Sequence, residues 1–87
     1  MNAQPHQIEI VVVVNGNPAL VHAEQGTHLR KVVEQALSDT GNVGQPPENW
    51  ELRNAAGLEL DQSKTVGHYD LESGVKLFLN LHAGVGG

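Results

Sequence analysis

The stretch THLRKVVEQALSDTG, Thr27 to Gly41, carries its apolar residues at Leu29, Val32, Val33, Ala36 and Leu37. That spacing (i, i+3, i+4, i+7, i+8) is one stripe of an α-helix, with Arg30, Lys31, Glu34 and Gln35 on the other side. Thr27 reads as the N-cap, its hydroxyl accepting from an early backbone N–H. Gly41 reads as the residue just past the end, able to take the left-handed conformation that stops a helix.

Upstream, Ile8 to Val14 is β-branched throughout except for Glu9 and predicts a strand. Asn15-Gly16 follows, a hairpin signal because both residues tolerate positive φ. Asn17-Pro18 is expected to lengthen that turn, and Ala19 to Ala23 to pair back as a second strand. Downstream, Gly44 and Pro46-Pro47 punctuate a loop over 42–47. Trp50 to Arg53 alternates as a third strand, Asn54 to Gly57 is a turn, and Leu58 to Leu60 is a short fourth strand. Asp61 to Leu71 is irregular, with room for one helical turn. Val75 to Leu81 is the fifth strand, with Leu77, Leu79 and Leu81 on its buried face.

The predicted class is therefore α+β: a mixed sheet of about five strands, ordered β-β-α-β-β-β, packed on one helix. The helix makes a crossover, which lets the first and last strands lie parallel and central. This is the β-grasp arrangement. It assigns residues 8–81 to one domain, 1–7 to a disordered N-terminal tail and 82–87 to a flexible C-terminal tail.

Composition narrows the function. A chain of 87 residues fits one domain with a thin core. No cysteine is present, which excludes disulfides, zinc–thiolate sites and thiol catalysis. Five Lys or Arg against ten Asp or Glu give a formal charge of −5, which phosphate backbones would repel, so no nucleic acid is expected as partner. The scattered cations suggest no membrane surface, and the longest apolar run, Ile10 to Val14, is too short to span a bilayer. Met1 to Gln7 does not read as a signal peptide, so the expected location is cytoplasmic. His6, His22, His28, His68 and His82 form no metal-ligand spacing, so no metal is expected. Asp61, Asp70 and Glu72 read as solvated loop charges, with no catalytic residue among them.

The second half of the chain resembles ubiquitin. The resemblance is carried by Pro46-Pro47-Glu48, Leu52, Leu60, the loop Thr65-Val66-Gly67-His68-Tyr69-Asp70-Leu71, the alternating leucines of the last strand and the terminal Gly86-Gly87. It implies that the Tyr69 hydroxyl pins its loop to nearby backbone. Departures matter equally. Arg53 and Asn80 are polar where ubiquitin carries its apolar recognition patch, Leu58 and Ser73 stand near the family's chain-linking lysines, and the tail His82-Ala83-Gly84-Val85-Gly86-Gly87 lacks arginines. The chain is thus most similar to the divergent ubiquitin-like proteins of bacterial conjugation operons.

That resemblance implies a modifier used through its tail, Gly84, Val85, Gly86 and Gly87. A partner activating enzyme would use ATP to adenylate the terminal carboxylate, and a carrier enzyme would hold the acyl group as a thioester. Amines of target proteins would then accept it. A processing or deconjugating peptidase would complete the set, exposing Gly87 if the gene continues beyond it. The modifier itself needs no cofactor. Glycines suit the role because backbone without Cβ threads narrow clefts.

Two rivals remain. A sulfur carrier has the same fold and tail, with its glycine converted to a thiocarboxylate; a mass gain matching sulfur-for-oxygen replacement would identify it. A non-conjugated module would assemble or bind partners through its sheet. For that role, Val11, Val13 and Phe78 are expected on the open face as a surface for a partner or for self-association, with Arg53, Asn80 and His82 nearby.

Overall fold

The computed structural model describes residues 7–83. In order they form β1 (Gln7–Val14), β2 (Asn17–Glu24), α1 (Leu29–Asp39), β3 (Trp50–Arg53), β4 (Glu59–Leu60) and β5 (Val75–Leu81), with short 3₁₀ turns at Pro47–Asn49 and Gly67–Tyr69. The sheet order is β2-β1-β5-β3-β4. β1 and β5 run parallel and the other neighbours antiparallel. This is the predicted β-grasp: α1 carries the chain across, so β5 enters between β1 and β3.

Alternation decides what each strand buries. Ile10, Val12 and Val14 of β1, Leu77 and Leu79 of β5 and Leu52 of β3 are wholly inaccessible, as are Leu29, Val33 and Ala36 of the helix stripe. Each such Leu or Val contributes about 1.5–3 kcal/mol over its exposed state. Leu81 is only partly buried, packed against the edge of this cluster.

Three local readings are corrected. The hairpin loop is two residues, not four. Asn15 (φ 49) and Gly16 (φ 85) both take positive φ, the requirement of a type I′ turn, so Asn17 already pairs with Val14. Pro18 therefore lies inside β2. It is tolerated because β2 is an edge strand, and alternation from the closing Val14–Asn17 pair turns Pro18's nitrogen away from β1.

Thr27 is not the helix cap. The N-cap is His28, without a side-chain bond, and the Thr27 hydroxyl accepts the Glu24 amide at 3.3 Å. The loop before the second 3₁₀ turn does the capping: the amides of Leu29 and Arg30 donate to the carbonyls of Lys64 and Gln62, each at 2.9 Å. Tertiary contact thus replaces a local cap at the helix's unpaired donors. The third correction concerns boundaries: Gln7 belongs to β1, opposite Glu24, rather than to a tail. The rest of the expected N-terminal tail lies outside the described residues.

The C-terminal stop is as read. Gly41 (φ +74) donates to Ser38 at 3.2 Å and Asn42 to Leu37 at 2.8 Å, the double bond of a Schellman motif. The Tyr69 hydroxyl accepts the Asp61 amide at 2.8 Å, doing what the resemblance implies.

Candidate functional site

With one sheet face on the helix, the other face carries the second set of alternating side chains. Register places them in rows. Pro18, Val13, Phe78, Arg53 and Glu59 form one row across all five strands. Leu20, Val11 and Lys76 form the next. Val13 and Phe78 are thus direct neighbours, with Val11 one row away. Leu20, 52% exposed, extends the same apolar strip. Sequence reasoning missed Leu20 and Pro18, because their side of β2 follows only once the hairpin turn is counted as two residues.

Arg53 closes the strip on the β3 side, and its charge is committed. Its Nη2 and Nε donate to Glu51 Oε1 at 2.8 and 3.2 Å, and its Nη1 donates to the Gly57 carbonyl at 2.8 Å. Glu59 stands 3.8 Å away. Asn80 is exposed, opposite Glu51 in register.

The second cluster lies where β5 ends. His82 donates its backbone amide to Asn49 O at 2.9 Å. Its Nδ1 lies 2.8 Å from Glu51 Oε2. An ionised carboxylate only accepts, so Nδ1 is the donor. Arg53, and then His82, bond the Glu51 carboxylate and hold its pKa below the ordinary value. His82 is therefore fixed rather than solvated, and the expected flexible tail does not start at it. Glu51 was missed as its partner because 31 residues separate the two; only the β3–β5 register brings them together.

A shallow recess of about 450 Å³ adjoins this cluster, lined by Arg30, Glu48, Trp50, Asp61, Tyr69 and His82 among others. Asp61 is held in its ionised form first by the Ser63 hydroxyl and then by the Ser63 amide, which lower its pKa. Beneath the recess, Gln62 Nε2 donates to the carbonyls of Pro47 and Trp50 at 3.1 and 3.0 Å. Gln62 Oε1 and Trp50 Nε1 are buried without partners. The Ser63 hydroxyl meets Asp61 at 2.7 Å, a local turn bond to a carboxylate whose lowered pKa makes it a weak base. Gly84, Val85, Gly86 and Gly87 lie outside the described residues.

A family model described as "Protein of Unknown function (DUF2604)" matches residues 3–87. The uncharacterized protein y4jI of Sinorhizobium fredii (strain NBRC 101917 / NGR234) is 47% identical over 83 residues, covering 95% of this chain and 64% of that protein. The chain thus spans less than two thirds of that relative's length. Among solved structures, a de novo design based on ubiquitin matches with a TM-score of 0.78 at 25% identity, over 97% of this chain and 99% of the design. Caldiarchaeum subterraneum ubiquitin matches at 0.73 and 20% identity, over 93% of this chain and 99% of that one. The fold is ubiquitin-like.

Proposed function

Since the chain belongs to the DUF2604 family, whose description assigns no activity, we propose a function from fold and tail: a ubiquitin-like modifier, activated at Gly87 by partner enzymes and joined to amines of target proteins. One observation carries this reading. The central strand β5 ends at Leu81 and the sequence runs on through Gly84-Val85-Gly86-Gly87. Glycine-rich sequence beyond the last strand suits backbone that must thread a partner's narrow cleft.

The chemistry belongs to the partners. The Gly87 carboxylate oxygen attacks the α-phosphorus of ATP, forming an acyl adenylate as pyrophosphate leaves. A partner's cysteine thiolate then attacks the acyl carbon and expels AMP, giving a thioester. A target amine displaces that thiol, losing a proton, to leave an amide. The modifier supplies the acyl group and a surface for recognition, is not itself an enzyme, and works in the cytoplasm. A peptidase would reverse the bond or expose the glycine.

The polar Arg53, committed to Glu51, argues that receptors of ubiquitin's apolar patch do not read this face. Deleting Gly87 should abolish ATP-dependent thioester formation with a cognate activating enzyme. Conjugation that survives the deletion unimpaired would end this reading.

The apolar strip Leu20, Val11, Val13 and Phe78 supports a second reading, a sheet-mediated assembly module that needs no tail chemistry. Val13→Lys together with Phe78→Lys would then abolish assembly seen by light scattering, while the Gly87 deletion would not. Unchanged scattering in the double variant would exclude it.

A further inference from the structure

A tail is useful only if its root points the right way. β5 stops at Leu81, and the tie that follows is unusually well supported. The His82 amide continues the ladder onto Asn49 at 2.9 Å, and its ring reaches Glu51 at 2.8 Å. Glu51 is not free to follow the ring. Arg53 grips its other oxygen, and the carbonyl of Gly57 grips Arg53. A chain of bonds thus runs Gly57–Arg53–Glu51–His82, from the turn after β3 to the residue where the tail begins. Ala83, the next residue, is exposed.

The geometry points to a positioning role for Glu51 and His82: the pair fixes the direction in which the chain leaves the sheet at Ala83, and so serves recognition by the activating partner. This rests on the modifier reading. Without the tie, the partner would have to find the acyl group from a wider set of exit directions and would give up affinity to order it.

The experiment compares the wild-type chain with Glu51→Gln, His82→Gln and His82→Arg. The first readout is the heteronuclear NOE of the Ala83 amide, which needs no partner. It should fall in Glu51→Gln and His82→Gln and return in His82→Arg, which sets a cation opposite Glu51. The second is steady-state ATP-dependent charging by the activating enzyme. Glu51→Gln should raise KM about threefold, the scale of one half-exposed ion pair, with kcat unchanged. An unchanged Ala83 NOE in both Gln variants overturns the positioning role, as does an unchanged KM with charging intact. Should Glu51→Gln unfold, His82→Gln decides alone, since it leaves the Glu51–Arg53 pair in place. If the wild type is never charged, the modifier reading fails, and the NOE still decides whether the tie exists.

Discussion

Replacing Tyr69 by Phe removes one atom from the contact that closes the long loop between β4 and β5. The Asp61 amide loses its 2.8 Å acceptor. The ring keeps its place, packed against the core and edge-on to His68 at 4.8 Å and 86°. The change is therefore a hydrogen-bond deletion without a cavity. Net bonds of this kind contribute about 0.5–1.5 kcal/mol, and Asp61 is exposed, so water can take over the orphaned amide. We expect a loss of about 1 kcal/mol, with an unchanged urea m-value. For a domain of this size that is a fall in Tm of about 5 °C. Amide hydrogen exchange localises the effect: Asp61 loses protection, and Leu29 and Arg30 follow. Their donors end on Lys64 and Gln62 of the same loop. A Tm within about 1 °C of wild type with Asp61 still protected would show that the hydroxyl does not hold the loop. A fall beyond about 15 °C would mean that ring packing had been disturbed.

Gly41→Ala places a Cβ at φ +74, where space is open but the backbone is strained; it should cost about 1 kcal/mol in urea unfolding. Gly26→Ala, at ordinary φ with equally open space, should be close to neutral. Acid sensitivity should centre on Glu51 and Asp61. Both have folded pKa values lowered from 4.5 and 3.8, so their contribution is complete above the unfolded values and is lost as pH falls through the folded ones. The urea midpoint should be level from neutrality down to about pH 5 and decline below it, more shallowly in Glu51→Gln; an identical acid limb in that variant would refute the assignment.

The fold was legible because its signals are periodic. The helix stripe from Leu29 to Leu37, the β-branched run of β1 and the alternating leucines of β5 each state their own geometry, and their order leaves few topologies. What stayed hidden was set by partners distant in sequence. Thr27 has the chemistry of a cap, but the loop carbonyls of Gln62 and Lys64 reached the helix donors first. Pro18 looked like turn material until the two positive-φ residues before it closed the hairpin. The face carrying Val11, Val13 and Phe78 could be inferred from alternation alone. The Glu51–His82 contact could not, because neither residue carries a local signal and only strand register makes them neighbours.

The two rims of the sheet have a last consequence. A chain containing four consecutive valines is a natural seed for amyloid-like stacking. Here those valines sit one strand in from the border, with both their hydrogen-bonding sides occupied. The border strands are poor templates. β4 is two residues long. β2 lacks an amide hydrogen at Pro18 and spends the one at Glu24 on Thr27, leaving Leu20 and His22 as the outward-facing donors between them. An incoming strand would find too short a purchase to propagate. The most aggregation-prone segment of the sequence is thereby closed to strand addition from another copy.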